Sequence, residues 1–103
     1  MPKLLGVLGG MGPLATADFM RKLTELTPAS RDQDHIPVLV YSNPQVPDRS
    51  TAIMGKGESP LPALLDGIAR LQAAGAEAIA IPCNTAHYWY DEMVAASQVP
   101  ILH

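Results

Sequence analysis

Leu4-Leu5-Gly6-Val7-Leu8-Gly9-Gly10-Met11-Gly12-Pro13 carries the decisive local pattern of this chain. Leu4 to Leu8 is a short, nearly unbroken apolar run that closes at once on glycine. Such runs read as strands buried on both faces, the kind found in parallel sheets. Beyond Pro13 the period changes, with apolar residues at Ala15, Phe19, Leu23 and Leu26. That spacing is one face of an amphipathic helix. Pro13 suits its first turn, where a missing N–H costs nothing, and Thr27-Pro28 closes it.

The same alternation continues along the chain. Ile36 to Tyr41 repeats the buried-strand pattern, and Asn43-Pro44 ends it. No period survives from Asn43 to Pro60, a connection long enough to be functional or mobile. A helix is expected from Pro60 to Ala74, with Leu61, Leu64, Leu65, Ile68 and Leu71 on one side and Gly75 as its stop. Ala76 to Ile81 is a third buried strand broken by Pro82, and Ala86 to Ala96 a third helix. Val99 to Leu102 opens a fourth, incomplete strand. Repeated strand–helix units predict an α/β fold, a three-layer parallel sheet with helices on both faces and right-handed crossovers.

The 103 residues suit one domain, here residues 1–103. With 48% hydrophobic and 17% charged residues the chain is too apolar for intrinsic disorder. A net charge of −3 offers no basic footprint for nucleic acid or an anionic membrane. No apolar run approaches the roughly 20 residues of a membrane span, and Met1-Pro2-Lys3 does not open a signal peptide. Cys83, the single cysteine, excludes an internal disulfide and favours a reducing compartment. A cytoplasmic protein is the expectation.

Open parallel sheets bind ligands beyond the carboxyl ends of their strands. Those ends carry Gly9 to Pro13, Ser42 to Gln45 and Pro82 to His87. The first turn offers N–H groups at a helix start, suited to a small anion. Gly10 to Ala15 also satisfies the G-x-G-x-x-A dinucleotide pattern, although Pro13 removes a donor and Ser42-Asn43 supplies no acid for a ribose. Plain strand-to-helix turning is the third reading. In the last turn Cys83 precedes a helix start, which stabilises thiolate and makes a base or nucleophile of it. Asn84 and Thr85 suit helix capping or a bound carboxylate, and His87 lies one turn along, placed to tune the thiol. A small buried hydrophobe is the bland alternative for Cys83.

Spacings for a Cys-His metal site are absent. No distant histidine with an orienting partner marks a Cys-His hydrolase. His35 and His103 lack partners in sequence and are expected in solvent. Arg49 suits bidentate capture of a carboxylate, or a surface pair with Asp48. Tyr88, Trp89 and Tyr90 are consecutive and so cannot share one face.

Three segments together resemble the aspartate/glutamate racemase family, its aspartate racemase branch in particular: Gly6 to Pro13, Ser42 to Arg49, and Pro82 to His87. The resemblance implies a cofactor-independent racemase of two similar α/β lobes with its site between them. On that pattern Cys83 matches the first catalytic cysteine. Met11, Gly12 and Pro13 match the turn lining the substrate, joined by Asn43 and Gln45. Asn84 and Thr85 match the carboxylate-binding pair, and Arg49 the arginine that reaches a side-chain carboxylate. His87 is a supporting residue. Two facing thiols exchange one α-proton without pyridoxal phosphate. This chain holds only one, so it corresponds to the N-terminal lobe and is expected not to racemise amino acids alone. The implied ligand is a small amino acid or dicarboxylate, with a second lobe or a second copy as partner. Competing readings are a non-catalytic carboxylate-binding or self-associating module, and a nucleotide-binding domain.

Overall fold

The computed structural model describes residues 3–103. Its elements are β1 (Leu5–Gly9), α1 (Pro13–Leu26), β2 (Val38–Ser42), α2 (Arg49–Ile53), α3 (Leu61–Ala73), β3 (Ala78–Ala80) and α4 (Tyr90–Ala96). Single 3-10 turns cover Asp32–Asp34 and Thr85–Trp89. The strands are all parallel in the order β2-β1-β3, with Leu5 opposite Val38 on one side and Ala78 on the other. Ile101 adds a parallel bridge to Ile79, the start of the fourth strand. From β1 the chain moves to one side, then crosses to the other. The order therefore reverses between β1 and β3, the position where open α/β sheets bind ligands.

Alternation along β1 sends its residues to opposite layers. Leu8 meets α3, where Gly67 leaves it room: a Cβ there would lie 2.5 Å from Leu8 Cδ1. Leu8, Leu64, Ile68, Ile79 and Met93 are fully buried on this side, each burial contributing about 1.5–3 kcal/mol. On the other face, Gly9 packs against Thr16 of α1. The three layers match expectation, and α3 stops at Gly75 with φ +102°.

Four details differ. β2 is half-open, with Val40 44% exposed, because it is an edge strand rather than a central one. The apolar stripe of α1 is only half-used: Phe19 and Leu23 are half-buried, Ala15 is exposed and Leu26 is 81% exposed. The cause is an uncovered sheet face. An apolar trough of about 550 Å³ runs between α1 and β3, lined by Leu5, Phe19, Leu23, Ala80 and Leu102. The segment without a period holds α2, too short at five residues to show one. Asp48 caps α2 by accepting the Thr51 N–H (2.8 Å) and the Thr51 hydroxyl. Finally, the third helix opens as the 3-10 turn Thr85–Trp89 and becomes α-helical only at Tyr90.

Candidate active site

Gly10 brings the first two turns together. Its φ of +95° suits glycine, and an added Cβ would strike the N, C and O of Asn43. The Asn43 N–H donates to Gly9 O at 3.0 Å, continuing the β1–β2 ladder past the strands. The expected anion cradle of the first turn is smaller than its sequence implies. The Gly10 N–H is spent on Thr16 Oγ1 at 2.8 Å, and that hydroxyl donates to Gly12 O at 3.1 Å. Met11 turns into the core, 5% exposed, while Gly12 and Pro13 are open to solvent.

The second turn closes on itself, since Asn43 Oδ1 accepts the Gln45 N–H at 3.0 Å. Val46 anchors it in the core at 4% exposure, and Gln45 stays exposed. Arg49 then opens α2, which packs against the Thr85–Trp89 turn. The expected Arg49–Asp48 pair does not form. Arg49 Nη1 instead donates to Val46 O (3.3 Å) and Pro47 O (3.4 Å), while its Nε is buried without a partner. Asp48 is engaged by Thr51, whose hydroxyl and backbone N–H hold its carboxyl below the usual carboxylate range.

The third turn leaves β3 through Pro82. The Cys83 N–H reaches back to Ile81 O at 2.8 Å, an i to i+2 bond. Pro82 at its centre has the φ an inverse γ-turn requires. Cys83 is half-buried, one side against the core, with Sγ 3.4 Å from Thr85 Oγ1. Asn84 and Thr85 are exposed. Thus Cys83, Thr85 and the helix carrying Arg49 gather at the β1–β3 reversal, with Gly12, Pro13 and Asn43 beside them on the neighbouring strand ends.

His87 is placed differently from expectation. Its Nε2 lies 3.0 Å from Ile81 O, so the ring bonds the backbone of the turn rather than the thiol. His103 is exposed but not isolated, its ring 5.4 Å from that of His87 and 4.5 Å from that of Tyr90. His35 is half-buried rather than free in solvent. Of the aromatic triplet, Trp89 is buried, Tyr90 half-buried and Tyr88 65% exposed. Sequence reasoning missed Thr16 and Ile81. Thr16 had a signal, a hydroxyl one turn into the helix that follows a glycine turn. Ile81 had none, because it acts through its carbonyl.

Asn84 and His87 reach the apolar trough beside α1 from one end; Cys83 does not line it. Among the described residues, no three His, Cys, Asp or Glu side chains gather as a metal would need. No described helix is long and apolar enough to cross a membrane.

The sequence pattern of the Asp/Glu/hydantoin racemase family matches residues 8–103. The chain belongs to that family. It is 38% identical over 104 residues to the broad specificity amino-acid racemase RacX of Bacillus subtilis (strain 168), covering 97% of this chain and 45% of that protein. The structure of Picrophilus torridus aspartate racemase superposes with a TM-score of 0.91 at 42% identity, covering 98% of this chain and 43% of that one. An aspartate racemase homologue from Pyrococcus horikoshii OT3, 24% identical with a TM-score of 0.76 over 99% of this chain and 44% of that one, shares the fold. This family member therefore spans just under half the length of these relatives. Its three-layer architecture and parallel sheet are those of the superposed part of the aspartate racemase.

Proposed function

We propose that this chain supplies one wall of a cofactor-independent racemase site for acidic amino acids. The observation that carries the reading is the half-exposed Cys83 thiol beside Thr85, with α2, which opens at Arg49, packed against the same turn. As thiolate, Cys83 removes the α-proton from one face of a bound amino acid and becomes a thiol; the reverse step returns it. Asn84 and Thr85 hold the α-carboxylate. The Met11–Gly12–Pro13 backbone, Asn43 and Gln45 frame the substrate. Arg49 meets a side-chain carboxylate with a planar fork of donors. Its buried, unpartnered Nε fits a group awaiting an acceptor.

Inversion needs a second base on the opposite face. Cys83 is the single cysteine of the 103 residues, so that base comes from outside them. A second lobe of a longer polypeptide is the reading the relatives' length supports, and a second copy the alternative. The chain by itself binds but does not invert. A reducing cytoplasm keeps the thiol available.

Two measurements test this. In D2O, the purified chain is expected to leave L-aspartate uninverted by chiral chromatography. Aspartate is also expected to slow alkylation of Cys83 by iodoacetamide, whereas NAD and nucleotides are not. Inversion by the isolated chain, or protection by a nucleotide alone, would overturn the proposal.

A further inference from the structure

The Ile81 carbonyl receives two hydrogen bonds, from the Cys83 N–H at 2.8 Å and from His87 Nε2 at 3.0 Å. A carbonyl only accepts, so Nε2 carries a proton toward it, while the buried Nδ1 has no partner. The second bond closes a ring over residues 81–87, which contains Cys83, Asn84 and Thr85. Without it, a short 3-10 turn and one tight bend would hold the thiol segment.

The imidazole is itself held from the opposite side. It stacks at 6.0 Å on Tyr90, whose hydroxyl donates to Ile101 O at 3.1 Å. His103 packs its ring against both. Residues 100–102 are tied in turn to β3, through Ile79 N–H to Pro100 O (2.9 Å) and Leu102 N–H to Ile79 O (2.8 Å). A continuous chain of contacts thus runs from the fourth-strand segment through Tyr90 and His87 to the backbone of Cys83.

We infer that His87 is a positioning residue, which sets the Cys83 turn through the Ile81 carbonyl and is held there by residues 101–103. This rests on Cys83 being the reactive group of the proposed site. The role differs from direct tuning of the thiol, because His87 touches the carbonyl and not the sulfur.

The test is the rate of Cys83 alkylation by iodoacetamide at fixed pH, measured on the 103-residue chain without any amino acid. His87→Leu removes the donor and is expected to raise the rate about three- to tenfold, the range one neutral hydrogen bond permits. His87→Gln, whose amide N–H reaches a similar distance, is expected to return it to within about twofold of the parent. An unchanged rate in His87→Leu, or a rate in His87→Gln equal to that of His87→Leu, overturns the inference. If His87→Leu does not fold, the imidazole 15N spectrum of the parent decides, since a neutral ring protonated at Nδ1 contradicts the assignment. Neither readout uses racemisation, so failure of the enzymatic reading would be seen separately, in the aspartate protection experiment.

Discussion

Replacing Gly10 by alanine tests how closely the first two turns meet. Two costs arise at once. A φ of +95° is unfavourable for an L-residue by about 1–2 kcal/mol. The new Cβ also strikes the backbone N, C and O of Asn43, which no rotamer change relieves. Overpacking of that kind costs about 1–3 kcal/mol. Lower entropy of the unfolded chain offsets up to about 1 kcal/mol. Gly10→Ala is therefore expected to destabilise by about 2–4 kcal/mol. Gly55 supplies the control, with φ +73° and no atom within 4 Å of an added Cβ. Its alanine variant bears only the conformational cost, about 1 kcal/mol after the same offset. For 103 residues the unfolding entropy near the midpoint is about 0.2 kcal/mol/K, so each kcal/mol moves Tm by about 5 °C. Thermal melts by far-ultraviolet circular dichroism should then show a drop of about 10–20 °C for Gly10→Ala and about 5 °C for Gly55→Ala. Equal drops for the two variants would refute the close approach to Asn43.

Further outcomes follow from individual contacts. Arg49→Lys keeps the charge but loses the planar fork, so aspartate protection of Cys83 should weaken about tenfold, about 1.4 kcal/mol; unchanged protection would remove Arg49 from the site. Asp48 has a folded-state pKa below its unfolded one, chiefly because the Thr51 hydroxyl and then the Thr51 N–H favour the carboxylate. The α2 cap is thus fully present above the unfolded carboxylate pKa and lost as pH falls through the folded one. The Thr51 amide resonance should titrate in that acidic window, and Asp48→Asn should abolish the transition. Leu26→Lys should change Tm by no more than about 2–3 °C, since Leu26 is 81% exposed despite its place in the apolar pattern. A larger loss would mean that α1 buries its final turn.

The architecture was legible because its signals are local. A buried parallel strand is an apolar run, a glycine turn breaks it, and a 3.6-residue period marks the helix that follows. Those patterns located β1, α1 and α3 nearly to the residue and placed β3, only Ala78–Ala80, inside the longer expected run Ala76 to Ile81; parallel topology alone brought Cys83, Asn43 and Pro13 to one end of the sheet. The short α2 left no trace of period, and its cap, Asp48 with Thr51, stands out only once the helix is known. The apolar stripe of α1 promised burial that the fold does not provide, because amphipathicity records what a face is suited to cover, not whether anything covers it.

Partner choice was beyond sequence reasoning. Arg49 turns to the carbonyls of Val46 and Pro47 rather than to its neighbour Asp48. His87 bonds Ile81 rather than the thiol one turn away. Thr16 takes the Gly10 N–H from the cradle its turn advertised. In each case the competing partners lie within a few residues, and side-chain reach permits either. By itself the sequence determined the layers, the strand ends and the residue types gathered there, since these follow from periodicity and connection rules. Only the tertiary structure decided which hydrogen bonds those residues make, because that depends on the angles at which packed elements cross and on which donors the core leaves dry.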